Sequence, residues 1–296
     1  MSLKMVKVKA PAKLNLYLDI VGVNDKGYHL MEMFMQAIDL FDVITVEQSF
    51  DEKITLSCNW EFVPCNEKNI AYRCAEAFLE KTGIEPSGLH IHLEKRIPQQ
   101  AGMAGGSADG AGVLRALNRM YGEILTNEEL SEIGQRIGAD IPFCLTGGTA
   151  KVSGIGEKIT KISDFPECAF VVAKPKSGVS TQKAFQDFDQ MGTGPVYRLS
   201  AMIEAVAQGN YTAICENLYN ALELVCPLEE VRTIRDSMMG CGAKGAMMTG
   251  SGSAVFGLFL DRKRAYECEL KLKQKYTDCF LCGPCSEGPV ILEVIE

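Results

Sequence analysis

No stretch of this sequence approaches the roughly 18 consecutive apolar residues that a membrane-spanning helix needs. The opening MSLKMVKVKAPAK has no apolar core of signal-peptide length, so a cytoplasmic protein without a membrane partner is expected. Basic residues are in the minority: 30 Lys and Arg stand against 38 Asp and Glu, a net charge of −8. A nucleic-acid footprint needs a dense basic face, so no nucleic-acid partner is expected. A small anion needs only a few local cations and amides, and Lys13, Lys95 and Arg96 are candidates to supply them. Only three histidines occur. His90 and His92 share one face of a strand, and without a third ligand they read as a solvent face rather than zinc. Internal repeats and low-complexity tracts are also missing.

What is present suits a globular enzyme. A chain of 296 residues accommodates two domains sharing a cleft, and 47% hydrophobic with 23% charged residues is ordinary for such a protein. Twelve cysteines without an export signal suggest reduced thiols. Cys282-Gly-Pro-Cys285, with Cys279 before it, copies the thioredoxin redox tetrapeptide. That motif needs a following helix to lower the first thiol's pKa, whereas SEGPVILEVIE reads as a strand. A chance CxxC is the better reading, with a three-thiol metal site as its rival.

VKVKAPAKLNLYLDIVG alternates after Pro11, with Leu14, Leu16, Leu18 and Ile20 facing one way. Lys13, Asn15, Tyr17 and Asp19 face the other, the pattern of a half-buried strand. HLMEMFMQAIDLFDVITVEQ continues extended, NIAYRCAEAFLEKTG reads as a helix stopped by Gly83, and GLHIHLEKRIP as a strand. Thr126 and Glu129 spell a capping box for TNEELSEIGQRIG. The second half opens with the strand CAFVVAKP. Helices are expected at Leu199–Ala207, Tyr211–Leu224, Leu228–Met239 and Asp261–Tyr276, with strands around MMTGSGSAVFGLFL, Phe280 and Val290. The mixture predicts α+β in two domains, 1–160 and 161–296.

Three glycine-rich segments compete for a phosphate. GCGAKG at Gly240–Gly245 spells the dinucleotide fingerprint, but a helix precedes it and a strand follows, the reverse of the required order. A helix C-cap and tight turn explain it. IPQQAGMAGGSADGAGVLRALN has the right order of strand, loop and helix. Gly102, Gly105 and Gly106 let backbone amides wrap an oxyanion at a helix N-terminus. Ser107 can cap that helix or bind a phosphate-bound Mg²⁺. The alternative is a small-residue turn for close helix packing. No lysine follows the glycines, so this is no P-loop. TGSGSAVFG adds a second Gly/Ser turn, which alone reads as a plain hairpin.

PAKLNLYL, PQQAGMAGGSADGAG and TGSGSAVFG, in that order and at compatible spacings, resemble the kinases named for galactose, homoserine, mevalonate and phosphomevalonate, the GHMP kinases. The GYH after the first segment, and GADIPFCLTGGTA, are similar to the branch acting on a cytidine diphosphate sugar alcohol. The resemblance implies an N-terminal domain like ribosomal protein S5 domain 2 and a C-terminal ferredoxin-like domain, with the active site in the cleft between them. It also implies phosphoryl transfer from ATP with Mg²⁺ to a hydroxyl of a small-molecule substrate, by a monomer or homodimer.

Residue by residue, Asp140 matches the family's catalytic aspartate and Lys13 its lysine partner. Read alone, Asp140 is a helix N-cap before Pro142 and Lys13 a solvated strand residue. The loop Pro98, Gln99, Gln100, Ala101, Gly102, Met103, Ala104, Gly105, Gly106, Ser107 and Ala108 matches the ATP-binding segment, with Asn69 and Lys95 placed for adenine and ribose. Asn15, Tyr28, His29, Gly250 and Ser251 match substrate contacts, and Phe185 the opposite wall of a stack on the cytosine. Ala101 and Ala104 stand where many relatives carry glycine, which disfavours a positive φ there. Ser107 is the one Mg²⁺ ligand suggested. Two alternatives stay open: a homoserine- or mevalonate-type kinase, and a non-catalytic nucleotide-binding protein on the same fold.

Overall fold

The computed structural model describes residues 4–85, 88–192 and 194–296. Two long antiparallel strands, β1 (Met5–Val23) and β2 (His29–Gln48), are its backbone. Then follow β3 (Ile54–Cys58), α1 (Ile70–Thr82), β4 (Leu89–Glu94), α2 (Gly105–Met120), α3 (Asn127–Ile137) and α4 (Ile141–Thr146). The strands β5 (Thr149–Gly154), β6 (Lys158–Lys161) and β7 (Ala169–Ala173) lead to α5 (Thr181–Met191), α6 (Leu199–Ala207) and α7 (Tyr211–Glu216). A two-residue β8 (Tyr219–Asn220) and a 3₁₀ turn (Ala221–Val225) precede α8 (Glu229–Gly240), β9 (Gly245–Met248) and β10 (Val255–Phe259). The chain closes with α9 (Arg262–Lys273), β11 (Cys279–Cys282) and β12 (Val290–Ile295).

The first sheet runs β12-β1-β2-β4-β3, with β5 also on β2, β6 on β5, and β8 beside β1. It draws strands from both sides of residue 160, because β12 returns to the N-terminal strand. The second sheet is antiparallel, ordered β11-β7-β10-β9. Every residue of β7 and β10 is buried, so their apolar runs are covered on both faces. Val171 and Val255 pack with α8 and α9 residues such as Ile234 and Cys268, whereas Phe170 and Phe256 join the core of the first sheet.

β1 bulges between Pro11 and Ala12, where proline is tolerated in a strand, and again past Asn15. One edge of β1 pairs β2 throughout. The other pairs β12 over Met5–Lys9 and β8 over Tyr17–Leu18, leaving residues 10–16 without a strand partner. Loops take up that gap. The Lys13 N–H donates to the Met103 carbonyl (3.2 Å), and the Asn15 N–H to the Thr249 hydroxyl (2.9 Å). Both glycine-rich loops are thereby drawn to one point on β1.

Several expectations need correction. β1 is not half-buried: Lys13, Asn15, Tyr17 and Asp19 are as inaccessible as the leucines between them. The expected helix Tyr211–Leu224 stops at Glu216, and Asn220 caps the 3₁₀ turn with its carboxamide oxygen instead. The helix α5, capped by Ser180, is absent from the sequence reading. His90 and His92 are not bare to solvent; they are half-buried and hydrogen-bond Thr55 and Ser57 on β3. Ser107 does not cap α2. That position belongs to Ala104, which takes a left-handed φ of 59° despite its Cβ. The Thr126–Glu129 capping box is present, and Gly240–Gly245 closes α8 and enters β9 as a tight turn.

Candidate active site

A cavity of about 1000 Å³ opens where the gap in β1 meets the two glycine-rich loops. It collects residues far apart in sequence: Lys13 and Asn15, Tyr28 and His29, Asn69, Lys95, Pro98 through Ser107, Asp140, Phe185, and Gly250 with Ser251. Ala108 is the exception among the expected residues; it is buried inside α2, turned to the core rather than to the cavity.

The loop is held by backbone packing that only glycine permits. Gly102 has a φ of 71°, and a Cβ there would lie 2.0 Å from the Thr249 carbonyl oxygen. Ser253 and Ala254 donate their N–H groups to the carbonyls of Gln100 and Ala101. The loop and the β9–β10 turn are therefore one unit. α2 then starts at Gly105, so the unpaired N–H groups of its first turn, with the dipole of a 16-residue helix, face the cavity.

Lys13 Nζ is buried between this loop and its own strand. It donates to the Asn15 carboxamide and to the Gly102 carbonyl (2.8 Å). An ammonium has three donors. The third direction leads to Asp140, whose Oδ2 lies 4.0 Å away. Asp140 occupies the N-cap position of α4, but its side chain makes no cap hydrogen bond and its backbone is already helical. The carboxylate is thus free of the structural duty that its place before Pro142 suggests, and it is 35% exposed to the cavity.

The second lysine differs. Lys95 Nζ is sandwiched between Asp42 and Asp109 (2.6 Å to the latter), with the Gly105 carbonyl 3.3 Å away. Asp42 also accepts from the N–H groups of Arg96 and Ile97, at the root of the loop. One cation faces two carboxyl groups, and Asp109 Oδ1 has no hydrogen-bond partner among the described residues. Burial accordingly pushes the Asp109 carboxyl up to about 8, with Lys95 opposing and Asp42 reinforcing that rise. The ammonium of Lys95 is committed to this trio, although the residue lines the cavity. Asn69 is committed likewise: its carboxamide caps α1 through Ala71 N and donates to the Pro64 carbonyl. The sequence reading missed Asp109, although it lies within the quoted glycine-rich segment; its neighbours Asp42 and Lys95 come from β2 and from the residue that follows β4.

His29 and Phe185 do meet, but directly. Their rings stack at 4.6 Å and 20°, and His29 Nε2 sits 2.8 Å from Asp189 Oδ1. A base inserted between two rings needs about 7 Å, twice a stacking distance. In this conformation they are one wall, not two. Tyr28 stands exposed beside them. Thr181 and Ser251 join hydroxyls (2.8 Å), tying the start of α5 to the β9–β10 turn.

Metal ligation is sparse. Among the described residues no group of three or more His, Cys, Asp or Glu could hold an ion. Ser107, in the first turn of α2, faces Gly138 near Asp140. A hydroxyl and one carboxylate, both hard oxygen donors, fit a Mg²⁺ that arrives with nucleotide phosphates rather than one caged by protein. Burial pushes the Cys282 thiol, first of the CxxC pair, well above its ordinary value and the preceding Cys279 up to about 12, and a strand rather than a helix follows them.

Family models for the GHMP kinases N terminal domain and the GHMP kinases C terminal region match residues 69–148 and 202–278. A 4-diphosphocytidyl-2-C-methyl-D-erythritol kinase of Clostridium botulinum (strain Alaska E43 / Type E3) is 43% identical over 276 residues, covering 93% of this chain and 98% of the relative. The crystal structure of a 4-(cytidine 5'-diphospho)-2C-methyl-D-erythritol kinase superposes with a TM-score of 0.80 at 31% identity, covering 94% and 98% of the two chains. A homoserine kinase from Cytophaga hutchinsonii reaches 0.75 at 18% identity over 98% of each chain, a likeness of fold.

Proposed function

The chain belongs to the GHMP kinases, and we propose that it transfers the γ-phosphoryl group of ATP to the 2-hydroxyl of 4-diphosphocytidyl-2-C-methyl-D-erythritol. The observation that carries this reading is the approach of Asp140 to Lys13, 4.0 Å apart beside the N-terminus of α2. Phosphoryl transfer leaves little covalent work for the protein, so positioning and charge stabilisation dominate. The amides of Gly105, Gly106 and Ser107 bind the phosphates. Asp140 accepts the proton of the substrate hydroxyl, and Lys13, held by Asn15 and Gly102, stabilises charge on the transferring group. Mg²⁺, bound by Ser107 and the nucleotide, would neutralise phosphate charge during transfer.

Tyr28, His29 and Phe185 line the same cavity and would supply the aromatic and hydrogen-bonding surface that a cytosine needs. The pathway would be non-mevalonate isoprenoid precursor synthesis, in the cytoplasm, by a monomer or homodimer. Residues 1–160 correspond to the unit like ribosomal protein S5 domain 2, with β12 lent back to it. The unit 161–296 is the ferredoxin-like one, supported by a four-stranded antiparallel sheet bearing α8 and α9. The cavity is then the cleft between them. Parallel turnover assays on the cytidylyl alcohol, homoserine and mevalonate test the proposal. Phosphorylation of the first alone is expected, and preference for either other alcohol would overturn it.

A further inference from the structure

A second cavity, of about 690 Å³, lies beside β9, within the roughly 300–1,000 Å³ of small-molecule pockets. Its walls are the 3₁₀ turn, α8 and the outer edge of β9. The lining divides by chemistry. Leu218, Val231 and Met247 form an apolar floor, and Leu224 and Met239 leave their side chains nearly half exposed at the rim. Three cations face the same space: Arg232, Arg235 and Lys244. The one acid in the lining, Glu223, pairs Arg235 at 2.8 Å. Among the described residues, Arg232 and Lys244 have no carboxylate within ion-pair distance. Lys244 is the largest charge felt by the neighbouring Cys215 thiol, which burial raises to about 11. Within the lining the cations outnumber the acid by two, with Asp236 outside it lying 3.6 Å from Arg235 Nε; beside exposed apolar side chains, on a chain of net charge −8, this is a local departure.

We infer that this cavity binds a small amphiphilic organic phosphate, its head group on Arg232, Lys244 and Arg235 and its hydrocarbon part on Leu224, Val231 and Met239. Guanidinium groups take a phosphate bidentately, and the dianion matches the charge surplus. The site is wired to the active-site turn. Glu223 gives one oxygen to Arg235 and the other to the Met248 N–H (2.7 Å), while Asn220 donates to the carbonyls of Met248 and Gly250. A phosphate taking Arg235 draws it from Glu223 and so loosens the strand that leads into Gly250, which packs on Gly102. Occupancy of the second cavity therefore biases the nucleotide loop, and linkage makes the effect reciprocal.

Calorimetric titration of the full chain with n-octyl phosphate, inorganic phosphate and 1-octanol, with a non-hydrolysable ATP analogue present, tests this. Octyl phosphate should bind saturably, and each separate half of the molecule about tenfold more weakly or worse. The double variant Arg232→Ala/Lys244→Ala should lose at least about tenfold in octyl phosphate affinity while its kcat without ligand is unchanged. In the unaltered chain, octyl phosphate should move the KM for ATP by about twofold or more, and in the double variant not at all. Equal affinity in the double variant, displacement by the ATP analogue, or equal binding of phosphate or octanol alone would overturn the site. Binding with an unmoved KM would overturn its link to the loop.

Discussion

Lys13 and Lys95 line the same cavity and are almost equally buried, at 3% and 4% exposure, yet their surroundings differ. Lys95 has an aspartate carboxyl group on each side and a carbonyl above, so its charge is matched inside the fold. Lys13 has a carboxamide and a carbonyl, neither of them charged, and its one carboxylate stands off at 4.0 Å on the solvent side. A charge already matched inside the protein has nothing left for a ligand. An ammonium held by neutral acceptors keeps most of its field for whatever enters the gap. Burial alone does not separate a structural lysine from a reactive one; the charge of its partners does.

That contrast can be broken from either side. The largest effect should come from Asp140→Asn, which keeps shape and removes the proton acceptor: kcat should fall by about 10²–10⁴ while nucleotide binding persists. Single-turnover kinetics with a nucleotide titration would check it, and near-normal turnover would remove Asp140 as the base. Next, Lys95→Met leaves Asp42 and Asp109 facing each other without their cation, and should cost about 3–5 kcal/mol of stability in urea unfolding. Lys13→Met should spare stability by comparison and take activity instead. Equal destabilisation by both would erase the distinction drawn here.

Asp109 offers a subtler test. Its folded carboxyl titrates near 8, whereas an unfolded aspartate titrates near 4. Between these values the folded state holds a proton that the unfolded chain has released. Stability from this group is complete below about pH 4 and falls as pH rises through 8. Asp109→Asn should flatten that decline between about pH 4 and 8 in denaturant midpoints, and an identical slope in both proteins would show that the proton lies elsewhere. The smallest effect is expected at Ala104, whose left-handed φ costs an alanine more than a glycine. Ala104→Gly should stabilise the loop by about 0.5–1 kcal/mol, visible as a rise in Tm.

The long strands, the capped helices and the glycine loop ahead of α2 were legible because each is a local pattern. Alternation after Pro11, a Thr–Glu pair three apart and a glycine closing α1 act over a few residues. Phe185 and the helix that carries it were less legible, since α5 has little apolar stripe beyond Ala184 and Phe188. The burial of β1 on its polar face was invisible. It depends on loops from residues 100–103 and 249–254 covering Lys13 and Asn15, and on residues 196–198 bonding Tyr17 and Asp19, contacts that span up to more than two hundred residues.

The sequence by itself determined which side chains are chemically able to act: one lysine and one aspartate in segments with family-like spacing, and glycines where amides must come close. Only the tertiary structure decided that Asp140 is released from capping, that Lys13 meets no other carboxylate within ion-pair distance among the described residues, and that Lys95 is spent. Those outcomes turn on a few ångströms between chain-distant atoms. Charge falls off with distance and donors are finite in number, so such matters are settled by packing and not by spelling.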